Sequence, residues 1–264
     1  MVILITGISS GFGKAMAEEF VRQGHTVYGT IRKQYQEIAG VRHLYADVRD
    51  ESSIEAVMKT ISEDADRLDV FINNAGIGIG GPLEFTTLED AQQQMDVNFM
   101  GMLRWFKYVI PMMRRQRHGK IIAVSSIGGL MGLPFQGLYS ASKFAIEGYC
   151  EALRMEVAQH HIDVITLEPG DFATHFTQAR IKAPMTEALA AYPSYQTSMQ
   201  SIENDEQGGL KPEQLAKKVA KIIKKKRPAY HYVIASPVQY LSTILKRLLP
   251  ARWFAQILKS YYKL

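Results

Sequence analysis

The sequence predicts an α/β fold: a doubly wound parallel sheet in a single domain, with a helical extension at its C-terminal end. Three observations carry this. Six short apolar runs, at residues 2–6, 25–31, 41–46, 68–72, 120–124 and 162–167, are interleaved with stretches of helical period, an alternation that builds a parallel sheet. The run ending Val70-Phe71-Ile72 is apolar rather than alternating, as expected of a strand covered on both faces. The first run leads through a glycine-rich turn, Thr6-Gly7-Ile8-Ser9-Ser10-Gly11-Phe12-Gly13, directly into a helix.

Taken in order, residues 2–6 are β-branched and form the first strand, and Lys14 to Arg22 has helical period. A glycine-rich turn at a helix N-terminus lets backbone amides approach a pyrophosphate, and the helix dipole favours the anion. The spacing G-x-x-x-G-x-G also suits a turn that merely joins two elements. His25 to Ile31 is the second strand, followed by Arg32-Lys33, and Val41 to Ala46 is the third, ending in Asp47-Val48. Residues 50–67 place Ile54, Val57, Met58 and Ile61 on one helical stripe. The fourth strand runs into Asn73-Asn74-Ala75-Gly76, where glycine permits close approach of backbone to a ligand. A long helical region from Thr87 to Arg117 contains Asn98, a poor helix former, and Pro111, which should kink it. Lys120 to Val124 is the fifth strand, ending in Ser125-Ser126, and the sixth ends in Glu168-Pro169-Gly170-Asp171-Phe172-Ala173-Thr174. In doubly wound sheets ligands bind at the carboxyl ends of the strands, so Gly11, Asn74 and Ser126 should converge on one crevice.

Between the fifth and sixth strands lies a helix bearing Tyr139-Ser140-Ala141-Ser142-Lys143. Residues four apart share a helix face, so the phenol and the ammonium point into one space. Tyrosine alone titrates near about 10, and an adjacent cation favours phenolate. The pair reads as a proton-transfer device, although its spacing alone also fits an ordinary helix-surface pair.

Together these residues resemble the short-chain dehydrogenase/reductase family: T-G-x-x-x-G-x-G, then N-N-A-G, then Ser126 thirteen residues before Y-x-x-x-K, then P-G-x-x-x-T. The match runs from Met1 to about Thr174, and the stretch after Ser126 is similar to 17β-hydroxysteroid dehydrogenases and retinol dehydrogenases. The resemblance implies a Rossmann-like fold and hydride transfer from a nicotinamide cofactor. It implies Asn98, Ser126, Tyr139 and Lys143 as the catalytic group, with Ser126 holding the substrate oxygen that Tyr139 protonates. Lys143 would lower the Tyr139 pKa and bind the nicotinamide ribose, and Asn98 would hold a water linking Lys143 to solvent. Gly7, Ser9, Ser10, Gly11, Phe12, Gly13, Arg32, Asp47, Val48, Asn74, Ala75, Gly76, Pro169, Gly170, Phe172 and Thr174, with Tyr139 and Lys143, would hold the dinucleotide. Ser10 stands where many NADP-using members carry a basic residue before Gly11, so a preference for NADP(H) leans on Arg32 and on the missing carboxylate at the end of the second strand.

The remainder bounds the reading. Residues 175–210, with Met185, Tyr192, Tyr195 and Met199, suit a moderately apolar cover for a bulky apolar substrate. Leu215, Val219, Ile222 and Ile223 form an apolar stripe beneath Lys217, Lys218, Lys221, Lys224, Lys225 and Lys226, a solvated helix face without the motifs of a nucleic-acid binder. Residues 1–236 then form the catalytic domain. Residues 237–264 form a tail of two basic amphipathic helices split by Pro250, in which Leu241, Leu245, Leu248, Trp253, Phe254 and Ile257 pack on the domain or a second subunit in preference to a membrane interface. The chain carries 31 basic and 26 acidic residues. One cysteine, Cys150, excludes an intrachain disulfide. The N-terminal apolar run is too short for a signal peptide and no stretch reaches bilayer length, so the expected location is cytoplasmic. The histidines, with one adjacent pair at His160-His161, lack metal-ligand spacing. The expected protein is a homo-oligomeric, NADP(H)-dependent alcohol/carbonyl oxidoreductase acting on a bulky apolar steroid-, retinoid- or lipid-like substrate. The alternatives are a 3-oxoacyl-thioester reductase and a catalytically silent dinucleotide-binding sensor.

Overall fold

The computed structural model describes residues 1–33, 36–182 and 190–264; Met185 lies outside them. The strands are β1 (Val2–Thr6), β2 (Thr26–Ile31), β3 (Val41–Tyr45), β4 (Val70–Asn73), β5 (Ile79–Gly80), β6 (Gly119–Val124), β7 (Ile162–Pro169), β8 (Ile181–Lys182) and β9 (His231–Ile234). The principal helices are α1 (Gly11–Arg22), α2 (Glu51–Ala65), α3 (Leu88–Met95), α4 (Gly101–Gln116), α5 (Gly137–Val157), α6 (Tyr195–Gln207), α7 (Pro212–Ile222), α8 (Pro237–Leu248) and α9 (Ala251–Tyr261).

Seven strands form one parallel sheet in the order β3-β2-β1-β4-β6-β7-β9. The chain winds outward from β1 to β3, then returns to β4 and winds the other way. The switch between β1 and β4 opens a crevice at the strands' carboxyl ends. Two apolar layers cover the sheet. Ile54, Val57 and Ile61 of α2, Trp105, Phe106 and Val109 of α4, and Ile146, Cys150 and Leu153 of α5 pack on one face. Met16 and Phe20 of α1 with Leu215 and Val219 of α7 pack on the other. Burial on both sides is why the strands are apolar throughout. The lysines of α7 face solvent as expected.

Three features depart from the sequence reading. Strand β9 extends the sheet beyond β7; its four residues include an exposed His231 and no apolar alternation to mark them. The long helical region is interrupted at Asp96–Met100, one turn of π-helix, and not at Pro111, through which α4 runs unbroken. Asn98 explains the interruption, because its side chain bonds the amide and carbonyl of Ile77 and the Ser142 hydroxyl at 2.8–3.0 Å and so competes with regular helix. Trp105, Phe106, Met112 and Met113, buried on both sides of Pro111, hold α4 through the proline.

The tail divides the expected packing set. Phe254 is buried, and Tyr262 joins Tyr195, Met199 and Ile202 of α6 in a small core. Leu241, Leu248, Trp253 and Ile257, expected to pack, are instead exposed, Leu248 and Trp253 by 74% and 67%. Short helices joined at Pro250 can turn only one stripe each towards the domain.

Candidate active site

The carboxyl ends of the strands open into a cavity of about 870 Å³, within the range of small-molecule sites. At one end lies the turn between β1 and α1. Gly7 and Gly11 adopt φ of +71° and +53°, a conformation that favours glycine. A Cβ on Gly13 would lie 2.1 Å from the Gly7 carbonyl oxygen, so Gly13 serves close packing of α1 on the strand and does not itself line the cavity. Ser10, at the N-cap, makes no side-chain bond to the first turn among the described residues. The first-turn amides beside Gly11 and Phe12 therefore form a cradle of anion-binding character. Gly7, Ser9, Ser10, Gly11 and Phe12 line it, and Phe12 packs edge-on against Phe172 with centroids 4.8 Å apart.

Beyond the end of β2, Arg32 and Lys33 reach the wall, which Val48 also lines. Asp47, expected at the cofactor, does not line the cavity; it pairs with Arg49 at 2.7 Å, which draws its carboxyl down to about 2. Asn74, Ala75 and Gly76 line the centre. The Asn74 side chain donates to the Thr6 and Gly7 carbonyls at 2.9 and 3.0 Å, so its geometry ties β4 to β1. Pro169, Gly170, Phe172 and Thr174, after β7, form the far wall. This donor set is of a kind that would fit a dinucleotide, with the α1 amides suited to its phosphates.

At the reacting end the structure brings Ser126, Tyr139 and Lys143 together. Ser126 follows β6 and accepts a bond from the Gly128 amide at 3.0 Å. The Tyr139 ring packs at a tilt against Phe176, with centroids 5.7 Å apart. Burial pushes the phenol up to about 12, against the opposing pull of a hydrogen bond with Ser126. The expectation that Lys143 draws it down is corrected. The Lys143 Nζ donates to the Val124 carbonyl at 2.8 Å and lies 5.6 Å from the Tyr139 ring centre. Burial also pushes Lys143 down to about 8, partly offset by Glu147. Asn98 lies outside the wall, with its side chain engaged by Ile77 and Ser142.

Sequence reasoning missed two acidic groups. Behind Lys143, Glu147, Glu168 and His231 place ligand atoms within 4.8 Å of one another, and His231 Nδ1 lies 3.0 Å from Glu168. Glu147 stands four residues after Lys143 on the same helix face, a spacing that could have been read. In the cavity wall, Asp171 accepts from Gln239 at 2.5 Å, and burial with Glu206 and Asp205 nearby raises it to about 7. Glu206 is paired with the buried Arg180.

Glu147 gives a test of these electrostatics. Burial and the charge of Glu168 raise its carboxyl from 4.5 to about 7. A raised folded-state value means that the folded chain holds the extra proton, so this stabilisation is present below 4.5 and lost as pH rises through about 7. Glu147→Gln should therefore gain stability relative to wild type on going from pH 5 to pH 8, by at most about 3 kcal/mol. Calorimetry at both pH values checks this. A difference that does not change with pH removes Glu147 as the cause.

A family model for short chain dehydrogenases matches residues 1–184. Over 262 residues the chain is 45% identical to 3-ketodihydrosphingosine reductase of Bacteroides thetaiotaomicron, covering 99% of this chain and 97% of that protein. Over 250 residues it is 34% identical to retinol dehydrogenase 8 of Bos taurus, covering 86% and 78%, in keeping with the finer resemblance noted after Ser126. A solved short-chain dehydrogenase from Streptomyces avermitilis matches the fold with a TM-score of 0.83 at 28% identity, covering 94% of this chain and 93% of that one. The ordered motifs, the seven-stranded sheet and these likenesses agree, and the chain belongs to the short-chain dehydrogenase/reductase family of oxidoreductases, which bind a nicotinamide dinucleotide.

Proposed function

We propose that this protein is an NADP(H)-dependent reductase of a long-chain, lipid-like ketone carrying an amine beside its carbonyl. The observation that carries the reading is the joint lining of one cavity by Ser126 and Tyr139, by Met131, Leu133 and Ile202, and by the carboxylates Asp171 and Asp205. Apolar side chains suit an alkyl chain, and a protonated amine is favoured beside half-buried carboxylates. A steroid or a retinoid carries no amine to place beside those carboxylates. The likeness to a reductase of a sphingoid ketone supports the same choice.

The dinucleotide, when bound, supplies the hydride. The chain's own residues supply positioning and the proton. Ser126 donates to the substrate oxygen and stabilises its developing charge. A phenol held at about 12 keeps its proton at neutral pH, the state that a carbonyl reduction requires of Tyr139 as general acid. Lys143, held near 8 and lining the same cavity, is the adjacent group able to return a proton. The 2′-phosphate preference rests on Arg32, with Lys33 beside it at the wall.

Rates followed by NADPH absorbance test the substrate class. A sphingoid 3-ketone should be reduced at least about tenfold more efficiently than its N-acetyl derivative, a steroid ketone or retinal. Equal rates with and without the free amine would remove the carboxylate argument. Tyr139→Phe keeps the ring and removes the acid, so turnover should fall by about 10²–10⁴-fold with dinucleotide affinity nearly intact. A variant within a few-fold of wild type excludes Tyr139 as the acid, and no turnover in either protein favours the silent sensor. In titrations NADPH should bind tighter than NADH, and Arg32→Asp should abolish or reverse that order. Wild-type preference for NADH would overturn the cofactor assignment.

A further inference from the structure

Tail helices α8 and α9 do more than cap the domain. Each carries two stripes. On α9, Phe254, Leu258 and Tyr262, spaced by four, turn inward, whereas Trp253, Ile257 and Tyr261 are exposed. On α8, Val238, Leu241 and Leu248 form an exposed stripe at helical spacing, with Leu245 half-buried between them. The two outward stripes do not lie on a remote surface. Val238, Leu241, Leu245, Ile257 and Tyr261 also line the cavity, so the apolar surface is the rim of the substrate chamber.

The helices are held in place there. The Gln239 side chain bonds the backbone amide and the carboxylate of Asp171. The Tyr262 carbonyl accepts from Ser198 of α6 at 2.5 Å, and the Tyr261 hydroxyl donates to Asp205 at 2.9 Å. An exposed leucine and tryptophan surface on a fixed support marks an interaction site. Its charge identifies the partner. Residues 237–264 contain Lys246, Arg247, Arg252, Lys259 and Lys263 and no acidic residue. All five basic residues are exposed.

From the exposed stripes, the one-sided charge and the cavity that residues of both stripes line, we propose that α8 and α9 seat the protein on an anionic lipid surface, with the chamber opening onto it. The helices lie in the interface, apolar stripes inserted and basic residues at the headgroups; no helix of the described residues is long and apolar enough to cross a membrane. A long-chain substrate enters from the lipid without crossing water. That last step rests on the lipid-ketone reading above; the docking itself does not.

Phosphatidylglycerol and phosphatidylcholine vesicles test the proposal with the full chain. Wild type should sediment with phosphatidylglycerol vesicles at low salt and be released at high salt. Its tryptophan emission should shift to the blue, because Trp253 is exposed while Trp105 is fully buried. Leu248→Glu with Trp253→Glu should weaken sedimentation at least about tenfold, and Arg247→Glu with Arg252→Glu should do the same through charge alone. None of these four residues lines the cavity, so melting temperature and reduction of a short-chain, water-soluble ketone should stay as in wild type in both variants. Wild type remaining in the supernatant overturns the proposal. So does equal binding to phosphatidylcholine, which removes the role of charge. Loss of a dimer in the variants, with no vesicle binding by wild type, assigns the face to a second copy instead. Failure on vesicles with intact reduction of the soluble ketone leaves the oxidoreductase reading standing.

Discussion

The site depends on how tightly the carboxyl ends of β1 and β4 are joined. The Thr6 hydroxyl accepts from the amides of both Asn74 and Ala75 at 2.9 Å, and Asn74 returns two bonds to the Thr6 and Gly7 carbonyls. A Cβ on Gly7 would already stand 3.1 Å from the Ala75 Cα. The switch point of a parallel sheet would otherwise be a gap between two diverging turns. Here it is a hydrogen-bonded seam that fixes the glycine cradle on one side and the Asn74–Gly76 wall on the other. The packing of Gly13 against the Gly7 carbonyl, and hence the direction of α1, follows from that seam.

Burial governs the chemistry of the reacting groups. Tyr139, Lys143 and Glu147 lie along one helix face and are all shifted towards their neutral forms. In water the spacing of Tyr139 and Lys143 would have favoured phenolate. In the folded chain, loss of solvent outweighs a cation whose nitrogen is turned to the Val124 carbonyl. Of the three, only Glu147 approaches the partly exposed His231, at 3.7 Å.

Much of this was legible in the sequence, for stated reasons. Strands buried on both faces announce themselves as apolar runs, which is why six of the seven sheet strands were found within a residue or two. A strand such as β9, four residues long with an exposed histidine at its start, carries no such pattern. Ser126, Tyr139 and Lys143 could be found because spacing on regular elements fixes where side chains go. Asp47 could not be assigned in the same way. It sits in a loop, and its partner Arg49 is a matter of local rotamers. Pro111 and Asn98 show one limit of propensity. Tertiary packing carried the helix through the proline, and a tertiary hydrogen-bond set at Ile77 broke it at the asparagine. The direction of the Tyr139 shift was hidden because it depends on what covers the ring, including Phe176 from the segment after β7.

The clamps that hold the tail span long stretches of chain: Asp171 bonds Gln239 68 residues on, and Ser198 bonds Tyr262 64 residues on. The glycine cradle and the β1–β4 seam use only residues from the first third. The cavity is thus walled by segments from the middle and the end of the chain, whereas its glycine cradle is local to the first third.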